Sequence, residues 1–437
     1  MAIKVCKFGG TSMADGNVIK RVKNIIESDK ERRFIVVSAP GKRYSGDTKV
    51  TDLLYACHSA NSREELKNLF EPVRHRFNSI INELNSTFDI ESVIDEVEEQ
   101  IFANRNKDFT ASRGEYLCAV IMADVLGAKF IDAKDVVFFK TDGSLDGEKT
   151  YKCVAAALSR VPRAVIPGFY GTDPCGNIKT FSRGGSDISG AIVAHAVNAS
   201  VYENWKDVSG FLACDPRIVD NPQIIKNISY KELRELSYIG ADVLHSEAIF
   251  PVRKANIPII IKNTFRPDDE GTTIVPTSRY VQSGAIVTGI AGKKNFTVIF
   301  IEKALMNTET GFINKVLEVL ANEKVSVEHI PSGIDTISLV IESSLLKGKL
   351  ERIINGIKKA VSPDTLRVIE DIALIATVGF GMSSSIGTGA RLFNAVAAAD
   401  INVKIIVQGS SEINIIVGVR NEDYEKCIRA IYGEFFN

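Results

Sequence analysis

The 437-residue sequence has no excess charge of either sign: 53 lysines and arginines stand against 54 aspartates and glutamates, for a net charge of −1. A balance of this kind gives no basic footprint for nucleic acid or for an anionic membrane surface. Long apolar runs are missing too. No stretch reaches the ~18 consecutive apolar residues that a bilayer-spanning helix needs. The first residues enter a strand pattern at Ile3, without the layout of a secretory leader. The seven cysteines (Cys6, Cys57, Cys118, Cys153, Cys175, Cys214, Cys427) form no Cys-x-x-Cys pair. Scattered thiols like these are expected to be reduced and mostly buried, as in a cytoplasmic protein. The P-loop pattern is absent, because no Gly-Lys is followed by Ser or Thr. The dinucleotide-binding glycine fingerprint and the catalytic-loop motifs of protein kinases are absent as well.

What remains is the composition of a soluble globular protein, 45% hydrophobic and 24% charged. The chain is too long for one ordinary core, so two or three domains are expected. The most informative stretch is Gly168–Gly190, GFYGTDPCGNIKTFSRGGSDISG. It follows the strand-like run Ala164-Val165-Ile166-Pro167, and its segment Ser182-Arg183-Gly184-Gly185-Ser186-Asp187 opens a helix. Paired glycines let a backbone approach an anion, and the first amides of a helix point at it. Ser186 and Asp187 are good cap residues. Arg183 offers a planar fork for a carboxylate or phosphate, and Asp187 a partner for an ammonium group. Together they suit a zwitterion such as an amino acid. By itself the string reads more readily as a capped helix beside a surface loop.

A second such stretch at the N-terminus favours the ligand reading. Strand-like Ile3–Phe8 runs into Gly9-Gly10-Thr11-Ser12, and a helix follows with Asp15 as its cap and Val18, Val22, Ile25 and Ile26 as its buried stripe. Strand, glycine pair and helix make a phosphate-cradling layout in which Lys7 reaches phosphate oxygens; a solvated strand end and a tight turn fit the same residues. Phe34–Val37 is a second strand, ending at Ser38; a helix begins near Thr51. Residues 63–104 read as a helical insertion or cover, with His75 on its surface. Ser112-Arg113-Gly114-Glu115 precedes an amphipathic helix, which puts Glu115 near a helix start, where the dipole favours it, or beside a substrate ammonium. Phe130-Ile131 and Val136–Phe139 read as strands, as do Ser200–Lys206 and Ile257–Ile261. Strands alternating with helices from Ile3 to Val275 predict an α/β sandwich with a largely parallel sheet, in which ligands bind beyond the strand C-termini.

After Pro276, Gly284 and Gly289 the pattern changes. Two βαββαβ-like copies of about 65–70 residues each follow, an internal repeat of a kind that commonly dimerises and binds small ligands.

These residues resemble an aspartokinase: an amino-acid-kinase-like three-layer α/β sandwich with a mainly parallel sheet, followed by two C-terminal ferredoxin-like (ACT) α+β domains. The resemblance rests on Lys7-Phe8-Gly9-Gly10-Thr11-Ser12, Gly114-Glu115, Arg183-Gly184-Gly185-Ser186-Asp187, Asp215-Pro216-Arg217, Val243-Leu244-His245 and Gln408-Gly409-Ser410-Ser411-Glu412-Ile413-Asn414, in that order. It implies a catalytic domain over residues 1–283 and ACT domains over 284–365 and 366–437, interleaved if the strand near 286–290 joins the second. It implies ATP- and Mg2+-dependent phosphorylation of the L-aspartate β-carboxylate, the first step toward lysine, threonine and methionine, with lysine, threonine or both as feedback effector and a homodimer or dimer of dimers built through the ACT domains.

The implied catalytic residues are Lys7, Arg183 and Asp187. Ser38, Thr51, Glu115, Arg183, Ser186 and Asp187 bind substrate. Lys7, Gly9, Gly10, Lys206, Asp207, Phe211 and Arg217 face ATP. Met306, Gly311, Phe312, Ser326, Val327 and Glu328 form the effector pocket. The chain departs from the family in having Lys206-Asp207 for Thr-Asp, Phe211 for Tyr, and Asp242 for a Lys. Lys206 is the expected substitute for that missing cation. Gly333-Ile334 replaces polar residues of some lysine-binding members. A sister kinase acting on glutamate or carbamate, and a non-catalytic amino-acid sensor, are the competing readings.

Overall fold

A computed structural model describes residues 2–182, 184–240, 244, 246–280 and 284–436, apart from the side chains of 246–248. The chain forms two compact units. The first comprises Met1–Phe211, Ile224–Tyr230 and Asp242–Tyr280; the second comprises Leu212–Gln223, Lys231–Ala241 and Val281–Asn437.

The first unit is built on β1 (Lys4–Phe8), α1 (Gly16–Glu27), β2 (Arg32–Val37), α2 (Val50–His58), α3 (Arg63–Leu84), α4 (Ile90–Asn104), α5 (Lys107–Leu126), β3 (Lys129–Phe130), α6 (Gly147–Leu158), β4 (Ala164–Pro167), β5 (Tyr170–Thr172), β6 (Ile178–Thr180), α7 (Gly185–Ala196), β7 (Val201–Lys206), β8 (Asn227–Ser229), then, after α8 (Tyr230–Tyr238), α9 (Ser246–Lys254), β9 (Ile259–Asn263) and β10 (Thr272–Val275). Its eight-stranded sheet has the order β8-β10-β9-β7-β1-β2-β4-β3. Every described pairing is parallel except β9 with β10. The two-residue period of β1 separates the faces. Cys6 and Phe8 join one hydrophobic cluster with α1 to α5, while the Lys7 ammonium meets Asp187 of α7. Helices on both faces of a mainly parallel sheet give the three layers expected.

Local chemistry sets the helix limits. Asp15 caps α1 through Val18 N, Ser62 caps α3 through Glu65 N, and Asp89 caps α4 through Ser92 N. The segment read as a cover is α3 and α4, and its stripe (Leu66, Phe70, Val73, Phe77, Ile94, Val97) belongs to the same core as β1. Two strand and helix expectations are corrected. Asn106 caps α5 through Phe109 N, so that helix starts earlier and Glu115 lies in its middle, where the end dipole gives it nothing. Val136–Phe139 makes only isolated bridges, from Phe138 and Phe139, because the Thr150 hydroxyl takes the Phe138 N–H.

The second unit carries β11 (Gly289–Glu302), α10 (Phe312–Asn322), β12 (Thr336–Glu342), α11 (Leu350–Val361), β13 (Thr365–Val378), α12 (Thr388–Ala398), β14 (Ile405–Val407), β15 (Asn414–Arg420) and α13 (Tyr424–Phe436). Its antiparallel sheet has the order β12-β11-β13-β15-β14. The two long strands run through both copies of the repeat. Gly289–Lys293 pairs with Leu374–Val378, and Phe296–Glu302 pairs with both β12 and Thr365–Ile372. Val325–Val327 forms no strand. Helix α8 docks within this unit: Glu232 accepts from the Thr288 hydroxyl at 2.6 Å and the Phe380 N–H at 2.9 Å, and Glu235 accepts from the Asn414 amide at 2.7 Å.

The loop after β2 is pinned by a buried ion pair. Arg76 of α3, 3% exposed, donates to Asp47 at 2.7 and 2.8 Å and to the Gly41 carbonyl at 2.9 Å. Removing one partner of a buried pair strands the other charge. Asp47→Ala should therefore cost about 3 kcal/mol in denaturant unfolding. Arg43→Ala, which removes the more exposed partner of the same carboxylate, should cost less than about 1 kcal/mol. Equal effects would show that burial does not decide the contribution.

Candidate active site

Lys7 sits near the C-terminal end of β1, in register with Asn204 of β7. Both are buried. Asp187 projects from the first turn of α7, which Gly184 enters at φ 60°; that left-handed conformation suits glycine. Neither Ser186 nor Asp187 is the cap, as the sequence led us to expect. The cap position is Gly184, with no side-chain cap bond. The Asp187 carboxylate turns to the sheet instead. Its Oδ1 lies 2.7 Å from Lys7 Nζ and accepts from Asn204 Nδ2 at 3.0 Å, and its Oδ2 accepts from Lys206 Nζ at 3.2 Å.

Burial would raise the Asp187 pKa, but Lys7 and Lys206 outweigh it and hold the group well below the usual carboxylate range. For Lys7 burial wins: desolvation, with Lys206 adding to it, pulls the ammonium below its ordinary value against the attraction of Asp187. Two cations sharing one carboxylate leave a net positive charge at the ends of β1 and β7, which is what a polyanion would meet there.

Glu115 approaches from α5. A Cβ on Gly114 would come within 2.7 Å of Ala39 Cβ, so glycine lets α5 lie against the loop after β2. Burial raises Glu115 to about 8, while the Ala39 amide and Lys7 pull the other way. Its Oε2 is buried with no partner among the described residues. A buried carboxyl with one empty acceptor is suited to receive a cation. Ser186 is buried in the same turn as Asp187, and Ser38 and Thr51 are half-buried at the end of β2 and the start of α2.

Other expected residues fall elsewhere. The Gly9 N–H donates to the Trp205 carbonyl at 3.1 Å, so the expectation that it holds phosphate is corrected, and Gly10 is left as the candidate. Phe211 is 1% exposed, its N–H on the Thr272 hydroxyl, and offers a nucleotide no ring face. Asp207 is exposed in the turn after β7. Arg217 lies in the second unit, paired with Asp215 at 2.6 Å. Arg183, Asp242, Val243 and His245 lie outside the described residues. Of the effector set, Met306 and Phe312 pack into the core of the second unit. Gly311 (φ 78°) opens α10, Ser326 is exposed, and Val327 and Glu328 are half-buried.

Asn204 was missed. The available signal was a polar residue inside the strand run Val201–Lys206, where both faces of a parallel sheet are buried. Among the described residues no group of three or more His, Cys, Asp or Glu side chains is placed to hold a metal.

Known proteins resemble this chain over its whole length. The amino acid kinase family model matches residues 2–263, and an ACT domain model matches 375–435. Aspartokinase 3 of Bacillus subtilis (strain 168) is 36% identical, with 99% of each chain covered. The crystal structure of Clostridium acetobutylicum aspartate kinase is 50% identical, with both chains fully covered and a TM-score of 0.90. E. coli aspartokinase III is 25% identical over the full length of both chains; its complex with aspartate and ADP (R-state) superposes with a TM-score of 0.79, and its complex with lysine and aspartate (T-state) with 0.75. The chain belongs to the aspartokinases, within the amino acid kinase family.

Proposed function

We infer that the chain transfers the γ-phosphoryl group of ATP to the β-carboxylate of L-aspartate, giving 4-phospho-L-aspartate and ADP, the first step toward lysine, threonine and methionine. The observation that carries this reading is the buried Lys7–Asp187 pair, joined by half-buried Lys206, with Glu115 close enough to act on Lys7. The nucleophile has a reference pKa of ~3.9 and is already ionised, so no general base is needed. A carboxylate oxygen forms the new P–O bond as the bond from the γ-phosphorus to the bridging oxygen breaks, and the electron pair leaves with ADP. The obstacle is bringing an anion up to a polyanion, so the protein contributes positioning and charge neutralisation.

Lys7 and the Gly10 amide stabilise the transferring group. Asp187 fixes both ammonium groups, and Asn204 fixes Asp187. Lys206 serves the ATP side. Glu115 receives the substrate ammonium, Arg183 its α-carboxylate, and Ser38, Thr51 and Ser186 its remaining oxygens. Mg2+ enters with ATP and shields the phosphate charge.

The remaining sequence is read as a catalytic part through 283 and two ACT units over 284–365 and 366–437. Segments 212–223 and 231–240 pack in the second compact unit. Lysine is the favoured effector, supported by the lysine-bound E. coli relative, with Gly311, Ser326, Val327 and Glu328 as its contacts; threonine is the second candidate. Dimerisation through the ACT units is supported by the exposed Ile406 on edge strand β14. A cytoplasmic location is supported by seven free cysteines. Among the described residues no helix is long and apolar enough to cross a membrane.

Trapping the acyl phosphate with hydroxylamine tests the reaction. Hydroxamate should form only with aspartate and Mg·ATP present, and Lys206→Ala should raise the ATP KM by about tenfold, the effect of one lost charge contact. An unchanged KM removes Lys206 from the ATP side, and aspartate-independent turnover removes the reaction itself.

The raised pKa of Glu115 gives a pH signature. Below about 8 the free enzyme holds this carboxyl protonated, so an ammonium must displace the proton. The aspartate KM should fall as pH rises from about 6 to 8, and Glu115→Gln should flatten that slope while raising KM. A slope that survives in Glu115→Gln assigns it to another group.

A further inference from the structure

Besides Arg76, the first unit buries a second guanidinium, and this one has no anion among the described residues. Arg113 of α5 is 3% exposed, and no ion pair among the described residues includes it. Its Nε and Nη2 donate to the neighbouring Ser112 hydroxyl at 3.2 and 2.9 Å. The rings of Phe109, Tyr116 and Tyr170 surround it, with centroids 4.4, 4.6 and 5.3 Å from its Cζ. Aromatic faces soften the burial of a cation but supply no counter-charge.

Arg113 lines a cavity of about 300 Å³ between α4, α5, the turn at Asp132 and the tip of the β5–β6 hairpin. That volume is at the lower end of small-molecule sites. Lys7, Glu115 and Asp187 do not line it. Arg113 and Glu115 share α5, but two residues turn a helix by roughly 200°, so their side chains leave it on opposite sides.

The charges on the cavity wall are balanced, and two of them already meet, the Lys134 ammonium lying 3.6 Å from the Asp132 carboxylate. Arg113 and Lys134 supply two positive charges, Asp132 and Glu96 two negative. Asp132, 8% exposed, is held by the Tyr170 hydroxyl at 2.7 Å and the Lys134 N–H at 3.0 Å. A simple anion would meet two carboxylates here, and a simple cation would meet two cations. A small molecule carrying both signs satisfies each wall, with its apolar part against Phe109 and Tyr116.

We propose that this cavity is a second amino-acid site, distinct from the substrate cleft and from the ACT units. The ligand α-carboxylate sits on Arg113 and its α-ammonium between Asp132 and Glu96.

The test is calorimetric titration of the full-length protein with each of the twenty standard L-amino acids, on the wild type, Arg113→Met and Glu96→Lys. Methionine at 113 keeps the stem against the rings and removes the charge. Lysine at 96, an exposed position, adds a third cation without disturbing the core, and so decides the matter if Arg113→Met fails to fold. At least one amino acid should bind the wild type and lose tenfold or more in affinity in each folded variant, while the aspartate-dependent hydroxamate rate stays within twofold. Acetate and methylammonium, each carrying one sign, should bind at least tenfold more weakly than that amino acid. Binding that is unchanged in both variants, no binding beyond the substrate and effector sites, or acetate binding as tightly as the amino acid would each overturn the proposal.

Discussion

One buried carboxylate between two ammonium groups organises the catalytic unit. Asp187 lies at the start of α7, Lys7 on β1 and Lys206 at the end of β7, and the contacts of 2.7 and 3.2 Å tie three elements together where the parallel strands end. Burying these charges singly would be costly. They are stable together because each offsets another and because Asn204 satisfies the carboxylate from the side. The cluster still carries one positive charge more than it balances. In the proposed reaction, that imbalance is what draws phosphate and lowers the cost of bringing a second anion alongside.

The surrounding architecture follows from this need. Strand β1 uses its period of two to place Cys6 and Phe8 in one helical layer while Lys7 faces the other. Glycines occur where backbones must close up, at Gly184 before α7 and at Gly114, which brings Glu115 against the loop after β2. In the second unit, two long strands shared by both copies of the repeat make a single sheet, so a change in one copy has a continuous route to the other. Helix α8 is tied to the same sheet through Glu232 and Glu235. This continuity is the physical basis on which an amino acid bound to an ACT unit would alter that unit's shape.

Much of this was legible in the sequence because it depends on local signals. Periodicity located α3 and α4, periodicity with the Asp15 cap located α1, and the glycine pairs marked the turns beside Lys7 and Asp187. What stayed hidden depends on partners distant in sequence. The start of α5 was missed because Asn106 caps a helix whose first turns carry few apolar residues. Val136–Phe139 is apolar enough for a strand, but a threonine hydroxyl takes its N–H group. Gly9 looked like a phosphate ligand until the Trp205 carbonyl, nearly two hundred residues away, was found to occupy its amide. Met306 and Phe312 carried the family pattern, yet their side chains fill a core. Asn204 was overlooked because a polar residue in a buried strand reveals its partner only when α7 is seen to lie over it.

The central claim is that the negative charge of Asp187, not merely its shape, holds the two ammonium groups in place for phosphoryl transfer. Asp187→Asn keeps the side-chain outline and removes the charge. Rapid-quench measurement of acyl-phosphate formation in a single turnover with Mg·ATP and aspartate reads the chemical step directly. The account predicts a fall of about 10²-fold or more in that rate, in the range for losing one electrostatic contributor to a phosphoryl-transfer site, with the fold intact by circular dichroism. A single-turnover rate within twofold of the wild type would contradict it and would leave Lys7 and Lys206 without the organiser assigned here.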